Sequence, residues 1–255
     1  MTLRTVSGAQ PVAVVTGAAG GLGASICRQL ADAGFAVVAG YRSSAKDAQA
    51  LAEHLPGTGH CALPAPVTDS AALDELAEAI QARYGRCDVL VNCAGTTRFV
   101  AHDDLRGVDD ALVDEVLATN VRGPFAMVRA LQPLLSRSDL PGGGVVINLS
   151  SIAAQTAMGS NVIYCASKAA LDNLTKSLAR ALAPAIRVVS VSPGLVDTEF
   201  VKSMDRAWRD EQASRTPLGS LAQPEDIARA VLVAIKELRF STGCVLPVDG
   251  GRPLK

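Results

Sequence analysis

Val12-Ala13-Val14-Val15-Thr16-Gly17-Ala18-Ala19-Gly20-Gly21-Leu22-Gly23, near the start of a 255-residue chain, joins a short apolar run to a turn with four glycines. Val12–Thr16 is too short for a helix and shows no polar alternation, so it reads as a strand covered on both faces. The glycines permit a tight turn, and a helix is expected from about Ala24. A backbone without side chains can approach a pyrophosphate, and a helix N-terminus adds free N–H groups and partial positive charge. Many α/β proteins need glycine here simply to pack, so the turn alone is a modest signal. Its place directly after the first strand is what points to a dinucleotide.

Working outward, further strand-length apolar runs fall at 36–40, 88–92, Gly144–Leu149 and 186–192, with weaker ones at 60–63 and 244–247. Helical stripes lie between them: Leu73, Leu76, Ala77, Ile80 and Tyr84; Leu171, Leu174, Leu178 and Leu182; Ile227, Val231, Ala234, Ile235 and Leu238. The third follows Pro224, Glu225 and Asp226, residues suited to a first helical turn. Strand–helix alternation of this kind implies right-handed crossovers. The expected fold class is α/β: a Rossmann-like doubly wound parallel sheet of about seven strands with helices on both faces. No repeat, linker or composition break divides the chain, so residues 1–255 read as one domain.

Composition narrows the function. Apolar residues make up 49%, charged residues 19% and aromatics 4%, which suits a large closely packed core and not a disordered chain. The net charge is −1 with no basic stripe, which argues against nucleic acid as a partner. Apolar residues 11–27 resemble a signal-peptide core, but the glycine turn accounts for them. Residues 140–167 carry no charge, yet Asn148, Ser150, Ser151, Gln155, Thr156, Ser160 and Asn161 make a membrane span too costly. The six cysteines (27, 61, 87, 93, 165 and 244) show no CxxC pair and no metal-ligand spacing with the three histidines. No metal is expected, and buried free thiols in a reducing cytoplasm are the reading. His54, His60 and His102 read as surface or loop residues without a role.

The end of the second strand selects the nucleotide. A site for NAD(H) usually places an Asp or Glu there for the adenosine ribose. This chain has Tyr41-Arg42-Ser43-Ser44 instead: an arginine and two hydroxyls, suited to a ribose 2′-phosphate. NADP(H) is therefore expected over NAD(H). A bland role for Ser43 or Ser44, capping the following helix, is compatible with this.

Tyr164 and Lys168 stand four residues apart, on one helical face. A phenol with an ordinary pKa near 10 is a poor base at neutral pH, and a nearby ammonium stabilises its phenolate. The spacing is common by chance. Its context is not: Ser151 lies thirteen residues upstream at a strand end, Asn92-Cys93-Ala94-Gly95 ends another strand, and Asn120 sits in a helical run.

With Pro193-Gly194 and Thr198, these motifs stand in the order and spacing of the short-chain dehydrogenase/reductase family, which the chain resembles over nearly its whole length. The resemblance implies that Tyr164 exchanges a proton with the substrate oxygen and Ser151 orients that oxygen. Lys168 would lower the tyrosine pKa and bind the nicotinamide ribose, and Asn120 would hold a water linking Lys168 to solvent. It implies cofactor contacts from Gly17, Gly20, Gly21, Leu22 and Gly23, from Tyr41, Arg42, Ser43 and Val67, and from Pro193, Gly194, Val196 and Thr198. Asn92 and Gly95 would line the floor beneath the adenosine side, with Ala94 among the cofactor contacts. Cys93 replaces a common second asparagine, and Pro66 stands where an aspartate often meets the adenine.

Within the family the likeness is strongest to 3-oxoacyl-(acyl-carrier-protein) reductases, through Tyr41–Ser44, Pro217-Leu218-Gly219 and Val248-Asp249-Gly250-Gly251. An acyl carrier protein is thus a conceivable partner, but no basic residue lies in Ala183-Pro184-Ala185-Ile186, leaving only Arg129 and Arg137 as candidate grips. A small-molecule ketone, keto-ester, sugar or polyol is as good a candidate. Residues 197–220, with Phe200, Val201, Met204 and Trp208 at helical spacings, fit a substrate lid or equally a packed interface. The resemblance also implies a homotetramer built on the helix of Tyr164. A silent NADP(H)-binding sensor is the alternative from another class, although such a protein would be expected to lose Tyr164, Lys168 or Ser151. A methyltransferase would need none of the three together.

Overall fold

The structure, a computed structural model, describes residues 5–254 apart from the side chain of Phe200. Seven parallel strands form one sheet: β1 (Val12–Thr16), β2 (Ala36–Tyr41), β3 (Cys61–Pro64), β4 (Val89–Asn92), β5 (Gly144–Leu149), β6 (Ile186–Pro193) and β7 (Val245–Val248). Their order across the sheet is β3-β2-β1-β4-β5-β6-β7. The expected doubly wound single domain is what forms, with the order reversing between β1 and β4. Every residue of β1, β4, β5 and β6 is buried, as continuous apolar runs require. The two edge strands carry Pro64 and Pro247, where a missing N–H is tolerated.

The strand bounds match the sequence reading to within one residue: β2, β3, β6 and β7 end one residue later than expected, and β3, β4 and β7 begin one residue later. At β3 the reason is visible: His60 Nδ1 accepts a hydrogen bond from Val37 N at 3.1 Å, so a side chain meets β2 where a strand residue would. His60 is therefore a structural residue and not a free loop histidine.

Helices cover both faces. On one lie α1 (Gly21–Asp32), α2 (Ala45–His54) and α10 (Pro224–Lys236); on the other lie α3 (Ser70–Tyr84), α5 (Gly123–Leu135) and α7 (Val162–Leu182). The predicted stripes bury Leu73, Leu76 and Ile80, then Leu171 and Leu178, then Ile227, Val231, Ala234 and Ile235. Each of these Leu, Ile and Val side chains contributes roughly 1.5–3 kcal/mol. Shorter helices are α4 (Asp110–Leu117), α6 (Ala153–Thr156), α8 (Glu199–Lys202) and α9 (Arg206–Ser214). α3 begins on the Asp69 carboxylate, which accepts from Ala71 N and Ala72 N, and α10 begins on the box formed by Gln223 and Asp226. Among the described residues no helix is long and apolar enough to cross a membrane, and no cluster could hold a metal.

Candidate active site

The carboxyl ends of β1 and β4 flank the reversal in strand order, where such sheets leave a crevice. Thr16 Oγ1 ties the two ends together, accepting from Cys93 N at 3.1 Å and Ala94 N at 3.0 Å. Two adjoining clefts open there, of about 580 and 280 Å³, sharing Leu22, Cys93, Gly95 and Thr96 along their walls. The larger runs from Tyr41, Arg42 and Ser43 over the glycine turn to Val67, Ala94 and Thr198. The smaller holds Ser151, Tyr164, Lys168, Pro193, Gly194 and Val196. A single trough therefore joins the residues expected at the nucleotide with those expected at the chemistry.

The glycine turn fits a pyrophosphate on its own geometry. A Cβ on Gly23 would stand 2.3 Å from Gly17 O, and Gly17 itself has φ +65°. The N-cap of α1 is Gly20, which offers no side-chain cap, so the first N–H groups of the helix remain for a ligand. Nothing lies within 4 Å of a Cβ built on Gly21. At the far end Arg42, Ser43 and Ser44 are exposed on the cleft wall. Ser44 occupies the N-cap position of α2 but makes no capping hydrogen bond, so the bland explanation for these hydroxyls is not realised.

At the other end α7 presents Tyr164 and Lys168. The helix starts on Asn161, wholly buried, whose Oδ1 accepts from Tyr164 N at 2.7 Å while Nδ2 donates to Arg98 O at 2.7 Å and Thr97 Oγ1 at 3.2 Å. Lys168 is 6% exposed; its Nζ donates to Leu149 O at 2.8 Å and lies 5.7 Å from the centre of the Tyr164 ring. Burial depresses the Lys168 ammonium to about 8, with Cys93 and Asp172 opposing that shift. Burial likewise holds the Tyr164 phenol above its ordinary value, opposed by a hydrogen bond with Ser151. Desolvation is thus the governing effect on the phenol within the protein alone.

One expectation needs correction. Asn92 does not line the trough. It is buried beneath it, donating from Nδ2 to Asn148 Oδ1 at 2.9 Å, while Cys93, Ala94 and Gly95 form the wall. Asn120 lies in a π-helical turn (Ala118–Arg122) between α4 and α5, a widened turn often found at functional sites. Both amide hydrogens of its side chain are engaged, and one acceptor site: Oδ1 accepts from Thr96 N at 2.9 Å, and Nδ2 donates to Thr96 O at 3.0 Å and Ser167 Oγ at 3.1 Å. The amide thus fixes the β4 exit against α7, with the second acceptor site of Oδ1 left over. A Cβ on Gly95 would meet Asn120 Oδ1 at 3.4 Å and Lys168 Nζ at 3.7 Å, which shows how closely these groups converge.

Asn161, Ser167 and Thr96 were not singled out from sequence. Asn161 had a signal, since asparagine three residues before the tyrosine is a standard N-cap placement. The segment expected to form one apolar helical face is two helices, α8 and α9, broken at 203–205; Val201 is buried, Met204 and Trp208 are exposed, and the Phe200 side chain lies outside the described residues. Arg129 Nη2 donates to Ser70 Oγ and its guanidinium stacks over Phe125, while Arg137 lies beyond α5 and donates to Gln81 Oε1.

Comparison with known proteins agrees with this arrangement. Residues 17–252 match the family described as enoyl-(acyl carrier protein) reductase. A protein named ketoacyl reductase 2 of the granaticin polyketide synthase of Streptomyces violaceoruber is 37% identical over 246 residues, covering 96% of each chain. D-threitol dehydrogenase of Mycolicibacterium smegmatis is 36% identical over 249 residues, covering 96% of this chain and 93% of that one. A short-chain dehydrogenase/reductase structure from Burkholderia xenovorans superposes with a TM-score of 0.90 at 33% identity, covering 97% of this chain and 99% of that one. The chain belongs to the short-chain dehydrogenase/reductase family, and so to the oxidoreductases that work with a nicotinamide cofactor.

Proposed function

We propose that this protein is an NADP(H)-dependent oxidoreductase acting between a small-molecule carbonyl and the corresponding secondary alcohol. The observation that carries the reading is the continuous trough, with Arg42 and Ser43 at one end and Ser151, Tyr164 and Lys168 at the other. When bound, the reduced nicotinamide supplies the hydride to the carbonyl carbon. Tyr164, kept protonated by burial, donates its phenolic proton to the carbonyl oxygen. Ser151 donates a hydrogen bond to the same oxygen and holds it in line. The Lys168 ammonium stabilises the phenolate left on Tyr164 until it is reprotonated. In the opposite direction the phenolate accepts the proton of the alcohol. Asn120 acts through position, holding Thr96 and Ser167 around Lys168.

The substrate is proposed to be a free ketone, keto-ester, sugar or polyol. Arg129 and Arg137 are occupied by their own chain, which weakens the case for a carrier protein. Residues 197–220 serve as its lid. Exposed Leu117 and Phe125, with Ala166 and Ala169 on the open face of α7, support pairing of copies into a homotetramer, and six free cysteines suit a reducing cytoplasm. The test is a cofactor-oxidation screen over a ketone panel with NADPH and NADH. Turnover favouring NADPH, abolished in Tyr164→Phe with NADPH still bound, is the expected result; a Tyr164→Phe variant that keeps most of its rate refutes the mechanism.

A further inference from the structure

Among the described residues, one ion pair reaches from the body of the protein to α9. Asp197 lies between Val196, which lines the cleft of Tyr164 and Lys168, and Thr198, which the family resemblance places at the nicotinamide, and is 8% exposed. Its backbone is fixed: Asp197 N donates to Ala222 O at 2.8 Å, and Val196 bridges Ala222 in parallel register. Its Oδ1 accepts from Arg209 Nη2 at 2.7 Å, with the arginine side chain 29% exposed. The other ion pairs of α9, Arg206–Asp210 and Arg215–Glu211, run along its exposed side and join nothing to the body.

The two ends of α9 are held differently. Its C-terminal end is fastened by Arg252, which donates to Gln212 O at 2.9 Å and also to Gln212 Oε1. Its N-terminal end starts on Asp205, whose Oδ1 accepts from Ala207 N and Trp208 N, contacts internal to the segment. Trp208 and Met204 are each 38% exposed, so apolar packing of this end is incomplete. Arg209 also grips end-on: its Nε is buried with no hydrogen-bond partner. A bidentate grip would satisfy Nε and hold the helix firmly, whereas an orphaned buried donor offsets part of what the pair contributes. The contact thus joins α9 to the turn through a single donated hydrogen bond.

We propose that Asp197–Arg209 is a releasable latch that joins the substrate-side helix α9 to the Val196–Thr198 turn, so that seating the nicotinamide and closing over the substrate occur together. Arg209 is then a positioning residue, and the proposal rests on the assignment of that turn to the nicotinamide. Hydrogen–deuterium exchange over Arg206–Ser214, with and without NADPH, tests it alongside steady-state kinetics on a ketone from the panel. In the wild type NADPH is expected to slow exchange in this helix. Arg209→Met, which keeps most of the aliphatic stem, should exchange roughly three- to fivefold faster and lose most of the NADPH effect. Its KM for the ketone should rise by a similar factor while kcat changes less than twofold, and Arg209→Lys should recover part of both.

Equal NADPH protection in Arg209→Met and wild type overturns the latch while leaving the oxidoreductase reading intact. So does an acceleration spread over the whole chain, which would mark general destabilisation. An active wild type whose KM is untouched by Arg209→Met overturns the coupling to substrate. A wild type that binds NADPH without protection of this helix overturns the latch alone, whereas absence of nucleotide binding overturns the latch and the oxidoreductase reading together.

Discussion

The two ends of the sheet both bury charge, and they treat it in opposite ways. At the amino end Asp88 is fully enclosed, yet both carboxylate oxygens are answered: Val12 N at 2.8 Å and Arg86 Nε at 2.8 Å on one, Arg86 Nη2 at 2.7 Å and Ser138 Oγ at 2.6 Å on the other. Arg187, at the start of β6, donates to the carbonyls of Ala234, Ile235, Leu238 and Ser241, closing the C-terminus of α10 where the helix dipole is negative. At the carboxyl end Lys168 has a carbonyl for a partner and makes no ion pair among the described residues. Ser150 Oγ and Asn92 Oδ1 are buried there without hydrogen bonds. Satisfied charge holds the sheet together, whereas polarity at the other end is left partly unsatisfied.

The sharpest test of this division is to compare one substitution at each end. Tyr164→Phe removes only a hydroxyl and should lower turnover about a thousandfold with Tm unchanged. Asp88→Ala should do the reverse. Leaving Val12 N and Ser138 Oγ unanswered, and Arg86 with Asp139 alone, costs about 3 kcal/mol, or about 10 °C in Tm for a chain of this size, while KM values stay within twofold. Thermal melts and steady-state kinetics on both variants check this. A Tm loss in Tyr164→Phe as large as that in Asp88→Ala would dissolve the distinction.

How much of this was legible in the sequence divides along the same line. The strands were, because β1, β4, β5 and β6 are buried on both faces and their apolar runs are continuous. Ser151, Tyr164 and Lys168 were, because a strand end and an i, i+4 helical spacing are local patterns. The amino-end networks were not: Asp88 meets Val12 and Ser138, which are 76 and 50 residues distant in the chain. Asn120 was legible as unusual but not in its role, since its partners Thr96 and Ser167 lie 24 and 47 residues away. A change of helical type around it leaves no periodic signature. Asn92 was misplaced for a related reason, as strand pleating at the last residue decides whether a side chain faces the crevice or the sheet interior.

Lys168 sharpens the comparison through pH. Its ammonium is ordinarily at 10.5 and falls to about 8 in the folded protein. Below about pH 8 both folded and unfolded chains carry the charge, and the folded state bears the full cost of burying it. Between 8 and 10.5 the unfolded chain binds the proton and the folded chain does not, so stability rises with pH on this account. Lys168→Met should therefore be inactive yet more stable than wild type by about 2 kcal/mol at pH 7, after allowing for the lost bond to Leu149 O. The advantage should shrink as pH rises from 8 to 10.5. Denaturant titrations of both proteins across this range measure it, and an advantage independent of pH would mean that packing, not buried charge, separates them.

The smallest expected effect lies at the outer rim of the trough, where charge is neither satisfied nor buried. Arg42 is exposed beside Ser43 and Ser44, so water screens much of what it offers a phosphate. A charge-assisted hydrogen bond to a partly solvated 2′-phosphate is worth about 1.4 kcal/mol here, near the lower end of its range. Arg42→Ala should then raise the KM for NADPH about tenfold and leave kcat unaltered, because the hydride moves at the far end of the trough. The KM for NADH should not change, since a ribose hydroxyl gives the guanidinium no charge to answer. Equal losses with both nucleotides would place Arg42 against something they share, such as the adenine or pyrophosphate, and would remove the main support for NADP(H) over NAD(H).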